Sequence, residues 1–153
     1  MINIIEPTLA VGIVPMLKQF VMATKLHPIL VNFTAALLSV SVASDMIGRF
    51  FKIESLRSTG WWTLFYATIV TPLTAISGWL FWMGGDNGET GMTIHKWLGT
   101  AFVALLFGLF AWRWNLHRKN QLPTMAYFIV AGILVSVLGY QGHLGGEQVF
   151  SGM

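Results

Sequence analysis

The sequence predicts an all-α integral membrane protein built as a bundle of four transmembrane helices. Of its 153 residues, 55% are hydrophobic and only 10% are charged, which is too little charge to cover the surface of a soluble domain. Four apolar stretches are each close to the roughly 20 residues that a helix needs to cross the hydrocarbon core of a bilayer. The connections between them are short, which favours antiparallel neighbours in a single bundle.

The four predicted spans follow one another from the first third of the chain towards its end. They cover Pro28–Ile47, Trp61–Trp82, Ile94–Leu116 and Met125–Gly142. Residues Thr8–Thr24 are also apolar, but Pro15 and Lys18 interrupt them, so we expect an interfacial helix there. The predicted organisation is an interfacial segment over residues 1–25 and a four-helix transmembrane domain over residues 26–153. No repeat of fixed period is visible.

Basic residues near the ends of the spans predict the orientation of the bundle. Six lie at one face, here called the basic face, and three lie at the face that holds the N-terminus, here called the N-terminal face. The six are Arg49, Lys52, Arg57, Arg113, Arg118 and Lys119, and the three are Lys18, Lys25 and Lys96. Cytoplasmic loops carry an excess of Lys and Arg, so we expect a bacterial inner-membrane protein with both termini in the periplasm. The net charge of +3 reflects this bias and does not indicate a nucleic-acid partner.

Three of the four histidines fall at the N-terminal face. His27 begins the first predicted span, His95 begins the third and His143 follows the fourth, whereas His117 lies in a basic loop at the other face. One ionisable residue at a bilayer edge is common, but three that converge from different spans indicate a functional site. Neutral imidazole binds haem iron, zinc, copper or non-haem iron. The chain has no cysteine, which excludes thiolate sites and covalently attached haem.

Three features favour haem at this cluster. Carboxylates are sparse nearby, and no Glu-x-x-His pair of the di-iron type is present. Lys25 and Lys96 flank two of the histidines and could meet haem propionates, although snorkelling lysines would be placed in the same way. Small residues leave room for a macrocycle, although they equally let membrane helices pack closely. These small residues are Thr71, Ala75 and Gly78 in the second span, Gly99 in the third, and Gly132, Ser136 and Gly139 in the fourth.

We expect haem b, one or two groups, with two of the three histidines as axial ligands. The preferred pair is His27 with His95, because the first and third spans are diagonal in a sequentially wound bundle and a macrocycle between them would occupy its centre. The competing pair is His95 with His143. The remaining histidine could bind a second haem, bond a propionate or gate a quinol. His117 should be irrelevant, because the third span carries it roughly 33 Å from His95.

Two further features leave alternatives open. Asp45 is the only acid within a predicted span, and we expect a helix-end salt bridge with Arg49, one turn later; a role in proton uptake is the alternative. The connection Met83–Thr93 contains four glycines and two acids. It is either a docking surface at the N-terminal face or a plain connector.

Three motifs resemble the DUF2231 family of small bacterial membrane proteins, and together they span residues 26–152. The segment Leu26-His27-Pro28-Ile29-Leu30-Val31-Asn32-Phe33 resembles the opening motif of the family, and His95-Lys96-Trp97-Leu98-Gly99 is similar to its third-helix histidine segment. The stretch Gly142-His143-Leu144-Gly145-Gly146-Glu147-Gln148-Val149-Phe150, followed by Gly152, resembles its C-terminal signature. Asn32 and Thr34 depart from the family pattern, in which many members have a second histidine and a proline. The change at Asn32 removes a potential ligand.

The resemblance implies a membrane-anchored redox module, because some members are fused to Rieske or cytochrome c domains, and it implies haem binding. The leading hypothesis is a b-type cytochrome subunit that carries electrons between a quinol or another membrane partner and a periplasmic cytochrome or Rieske protein. A histidine-based metal-binding or transport protein and a cofactor-free structural subunit of a membrane complex are the alternatives. Catalysis by this chain alone is not expected, because no nucleophile–base pair is visible.

Overall fold

The computed structural model describes residues 6–82 and 90–150, with side chains over 12–82 and 91–146. The described chain folds into five helices: α1 Glu6–Ala23, α2 Leu26–Phe50, α3 Glu54–Trp82, α4 Thr90–Arg118 and α5 Met125–Phe150. Each of the last four contains a stretch that is long and apolar enough to cross a membrane. The prediction of an all-α membrane bundle with four spans is therefore confirmed.

The four long helices are wound in sequential order. Helix α2 packs on α3, α3 on α4, α4 on α5, and α5 returns to α2. Among the described residues, the backbones of α2 and α4 do not approach each other, so these two helices are diagonal and run in the same direction. This is the arrangement expected for the first and third predicted spans.

The observed helices extend beyond the predicted spans. Helix α3 begins at Glu54, so only residues 51–53 separate it from α2, whereas the second span was predicted to begin at Trp61. Helix α5 continues to Phe150, so His143 lies within this helix rather than after it. The reason is that the length of an apolar stretch reflects only the thickness of the hydrocarbon core, whereas the helix itself continues through the headgroup region. Most of the glycine-rich connection Met83–Thr93 lies outside the described residues.

Helix α1 forms where the interfacial helix was expected. It includes Pro15 within its length and packs against α2 and α3, with Val21 buried. A short turn follows it, in which Lys25 adopts a left-handed backbone conformation with φ of 50°. The α1 helix is thus joined directly to the opening histidine motif. Its placement at the membrane surface stays a prediction.

Glycines allow α2 and α3 to approach closely along their length. A Cβ atom at Gly60 would lie 2.5 Å from Oδ1 of Asp45, and one at Gly48 would lie 2.8 Å from Cγ of Arg57. The Ser41 hydroxyl donates a hydrogen bond of 2.7 Å to the carbonyl of Gly60. Small residues and interhelical hydrogen bonds are the usual means of association in a bilayer, where lipid is as apolar as the helix surface.

The two helical hairpins, α2–α3 and α4–α5, are built alike. Five of the six buried residues of α2 recur as buried residues of α4 after 68 residues, and four of the six buried residues of α3 recur on α5 after 67. The pairs between α2 and α4 are Thr34 with Phe102, Leu38 with Leu106, Ser41 with Leu109, Asp45 with Arg113, and Gly48 with Leu116. The pairs between α3 and α5 are Gly60 with Tyr127, Leu64 with Ala131, Ala67 with Leu134, and Thr71 with Leu138. A pseudo-two-fold axis therefore runs along the centre of the bundle.

A buried ion pair crosses this axis near the basic face. Arg113 Nε donates to Asp45 Oδ2 at 2.7 Å and Arg113 Nη2 donates to Oδ1 at 2.9 Å. The two side chains are 5% and 0% exposed. The prediction that Asp45 pairs with Arg49 was wrong. Asp45 faces the bundle centre, where the guanidinium of Arg113, from the diagonal helix, donates to both carboxylate oxygens.

We predict that Asp45→Asn lowers the free energy of unfolding by about 3–5 kcal/mol, because it leaves Arg113 as an unpaired buried cation. The double variant Asp45→Asn/Arg113→Gln should cost clearly less than the sum of the two single changes. The matched control is Arg49→Gln, for which a cost below about 1 kcal/mol is expected. Denaturant unfolding in detergent micelles measures these differences. An equal cost for Arg49→Gln and Arg113→Gln would contradict the assignment.

Candidate two-histidine site

His27 and His95 meet at the end of the bundle opposite the ion pair. Their ring centroids lie 6.2 Å apart and their planes are at 90°. Each histidine lies 18 residues before a member of the ion pair, and 18 residues are five turns of a helix with 3.6 residues per turn. The histidine and the charged residue therefore share one face on α2 and likewise on α4. Both contacts lie on the pseudo-two-fold axis.

The neighbouring helix α3 holds the His27 ring in a defined tautomer. Its Nδ1 lies 3.2 Å from the carbonyl oxygen of Thr74 and 3.1 Å from Oγ of Ser77. The Ser77 hydroxyl donates to the same Thr74 carbonyl at 2.8 Å. Because a carbonyl oxygen only accepts hydrogen bonds, Nδ1 of His27 carries the proton in this contact. The lone pair of the neutral ring is then on Nε2.

Helix α5 holds His95 in the equivalent way. Nδ1 of His95 donates to the carbonyl oxygen of Gln141 at 3.1 Å, and the Gln141 side-chain amide donates to the carbonyl oxygen of His95 at 2.6 Å. A Cβ atom at Gly99 would lie 2.7 Å from this amide nitrogen, so Gly99 makes room for the Gln141 side chain. The two hydrogen bonds fix both the backbone and the ring of His95. Gln141 is thus a positioning residue for His95.

A glycine lies against each imidazole ring. A Cβ atom at Gly78 would lie 2.8 Å from Cε1 of His27, and one at Gly145 would lie 3.0 Å from Cε1 of His95. Each glycine follows its anchoring carbonyl, at Thr74 or Gln141, by four residues, so the carbonyl and the glycine lie on one helix face. The same local structure thus occurs once in each hairpin.

Two imidazole nitrogens, one from each ring, suit a metal whose other four coordination positions are already filled, such as a haem iron. Within the described part of the chain, Nε2 of neither ring has a hydrogen-bond partner, and a histidine anchored through Nδ1 is the usual form of a metal ligand. Two rings that bind one metal from opposite sides, with metal–nitrogen distances of about 2 Å, have centroids about 6 Å apart. Among the described residues, no group of three or more His, Cys, Asp or Glu side chains assembles for a bare metal ion.

The third histidine of the predicted cluster lies apart from this arrangement. His143 is exposed and lies two residues from both Gln141 and Gly145, so it is on the opposite side of α5. The structure thus brings together His27 and His95, the preferred pair. His117 lies at the far end of α4, with its ring centroid 5.1 Å from that of Trp61.

The other predicted site residues are placed differently from expectation. Gly132, Ser136 and Gly139 lie on the outer side of α5, where Gly132 and Ser136 line a surface groove together with Leu98 of α4. They do not offer a face to a group at the bundle centre. In a membrane protein the outer surface and the core are both apolar, so small residues alone do not indicate which side faces inward.

The two lysines that could meet propionates also have other surroundings. Nζ of Lys96 lies 3.9 Å from the ring centroid of Trp79, 4.1 Å from Trp82 and 5.5 Å from Trp97. These are cation–π contacts at the edge of the membrane. Lys25 is exposed in the turn before α2. Thr74, Ser77 and Gln141 were not predicted as site residues, and Gly145 was named only as part of the C-terminal motif. The signal for Gln141 was its polarity within an apolar span.

The glycine contacts give a testable prediction. Gly78→Ala and Gly145→Ala should each lower the free energy of unfolding by about 1–3 kcal/mol, because the added methyl group overpacks against an imidazole ring. Gly142→Ala is the matched control on α5, since nothing lies within 4 Å of its Cβ position. This control should be neutral or stabilising by up to about 1 kcal/mol, because alanine favours helix. Equal effects of Gly145→Ala and Gly142→Ala in micelle unfolding would count against the packing described here.

Comparison with known proteins gives a family but no described relative. No curated protein and no solved structure matches the chain. A family model described as a predicted membrane protein, DUF2231, matches residues 23–152. The matched range includes both histidines of the site, the ion pair and all four long helices. Because the match covers well over half of the chain, this protein belongs to the DUF2231 family of predicted membrane proteins.

Proposed function

We propose that the protein is a membrane b-type cytochrome subunit in which His27 and His95 are the axial ligands of one haem b. The observation that carries the proposal is the meeting of two imidazoles on the bundle axis, each anchored through Nδ1 to a carbonyl of its partner helix. Each ring therefore has its Nε2 lone pair available. Two protein ligands complete the coordination of a haem iron, whereas a zinc site needs three or four protein ligands.

The haem would supply one-electron chemistry, and the protein residues determine where and how readily it occurs. The carbonyls of Thr74 and Gln141 fix the orientation of the rings and make Nε2 a stronger donor. Both rings are half-buried at the end of the bundle. With both histidines bound, a haem iron would have no open coordination position, which is the property of an electron carrier rather than of an oxidase.

The proposed setting is the bacterial inner membrane with the N-terminal face in the periplasm. The distribution of basic residues supports this orientation, because six lie at the basic face and three at the N-terminal face. The two-histidine site would then lie near the periplasmic surface. Electrons would pass between a quinol or another membrane redox subunit and a periplasmic cytochrome or Rieske protein, as the family resemblance implies. Lipid surrounds the four spans.

Histidine variants test the ligand assignment. We expect His27→Ala and His95→Ala each to abolish low-spin haem in the purified protein, because one axial ligand is lost in each. His117→Ala and His143→Ala are matched controls and should keep the haem content and the reduced α band of the wild type. Visible spectra with a haem extraction assay measure both quantities. A normal low-spin spectrum in His27→Ala or His95→Ala would refute the pair, and wild-type protein purified without haem would refute the function.

Cysteine labelling tests the orientation. The chain has no native cysteine, so Gly88→Cys and Gln121→Cys each introduce one thiol, and the predicted topology puts the two thiols on opposite sides of the membrane. We expect an impermeant maleimide added to intact cells with a permeabilised outer membrane to label position 88 only. Labelling in lysed cells is the control that both thiols can react. Labelling of position 121 but not 88 in intact cells would reverse the topology and place the histidines at the cytoplasmic face.

A further inference from the structure

A second cavity lies at the basic face, far from the histidines. It has a volume of about 360 Å³ and lies between the start of α3, the end of α4 and the connection that follows α4. Its lining includes Arg57, Trp61, Trp62, Arg113, His117 and Gln121. The basic side chains come from two different helices, and the chain segment after α4 closes one side. The proposed redox function does not use this cavity.

Two hydrogen-bond donors at this cavity are unsatisfied. Nε of Arg57 and Nε1 of Trp61 are buried and have no hydrogen-bond partner among the described residues. The two residues are one turn apart on α3, so they lie on the same side of the helix. A buried polar group without a partner is unfavourable. Both nitrogens can donate only to an acceptor, and two donors one turn apart suit the oxygens of one oxyanion.

The charge that a ligand in the cavity would meet is that of Arg57. Arg113 also lies along the wall, but its guanidinium is paired with Asp45 through two of its nitrogens. Among the described lining residues, Glu54 is the only acid, and its Oε2 lies 2.6 Å from Nη2 of Arg57. The Glu54 side chain is 81% exposed, so this surface contact competes weakly with a partner inside the cavity.

We propose that this cavity binds a phosphate-bearing anion, with Arg57 and Trp61 as its hydrogen-bond donors. The phosphate group could belong to an anionic phospholipid headgroup or to free inorganic phosphate. The position of the cavity suits a lipid, because Trp62 and Leu122 of its wall are 49% and 40% exposed and can contact acyl chains. Basic pockets between transmembrane helices at the cytoplasmic face are recurrent headgroup sites.

Native mass spectrometry of the purified full-length protein tests the proposal, with phosphatidylglycerol and diacylglycerol as probes. We expect phosphatidylglycerol to bind and the phosphate-free diacylglycerol not to bind. Arg57→Gln and Trp61→Phe should each weaken binding by about ten-fold, since each removes one donor to a charged acceptor. Glu54→Gln should strengthen phosphatidylglycerol binding, because Nη2 of Arg57 is released from its ion pair with Glu54. Lys119→Gln is the matched control: it removes a charge from the same face but not from the cavity lining, and should stay within about two-fold of the wild type.

A second arm identifies the source of the phosphate. Calorimetric titration with inorganic phosphate, and competition of phosphate against phosphatidylglycerol, distinguish a small-anion site from a lipid site. The proposal is supported if binding of phosphatidylglycerol or of inorganic phosphate is lost in Arg57→Gln and Trp61→Phe but not in Lys119→Gln. It is overturned if neither ligand binds, or if Lys119→Gln weakens binding as much as the two cavity variants. Trp61→Phe keeps an aromatic ring in the packed cluster, so its result does not depend on Arg57→Gln remaining folded.

Discussion

The buried ion pair between Asp45 and Arg113 sets the rotation of the two diagonal helices. Neither charge is stable in the apolar centre without the other, so α2 and α4 must turn these faces towards each other. Because His27 and His95 lie five helical turns from the pair, on the same faces, the rotation that joins the charges also joins the imidazoles. One polar contact at the basic face thus places the candidate site at the N-terminal face.

The pseudo-two-fold arrangement explains why the two ends of the bundle differ chemically. Two pairs of residues related by the axis meet in the structure. An identical charged pair would repel, and at the basic face the pair is complementary, Asp45 with Arg113. At the N-terminal face the pair is identical, His27 with His95, and Nδ1 of each ring donates a hydrogen bond to a carbonyl oxygen of its own hairpin. Two imidazoles with available Nε2 lone pairs are suited to binding one central metal, because each contributes the same kind of nitrogen ligand. The symmetry of the fold and the ligand set of a bis-histidine haem therefore agree.

Hydropathy and helix spacing were sufficient to predict the four spans, their order and the approach of His27 to His95. They did not predict the partner of Asp45 or the outward position of Gly132, Ser136 and Gly139. Both errors concern helix rotation, which apolar pattern determines poorly when one side of a helix faces lipid and the other faces a similar core. The relation between the hairpins was also missed, since α2 and α4 are identical at only six of 25 aligned positions. It became visible through burial, which repeats more faithfully than residue identity.

We propose that His27 and His95, whose ring planes are at 90° in the structure, would together hold one haem iron. Electron paramagnetic resonance of the oxidised, purified protein tests it most directly. If the two imidazole planes stay perpendicular on a bound iron, its two π-type orbitals would be nearly degenerate, so we expect a low-spin ferric signal with one very large g value and strong axial anisotropy. A high-spin signal from five-coordinate haem, a rhombic signal typical of parallel ligand planes, or no haem signal at all would contradict it.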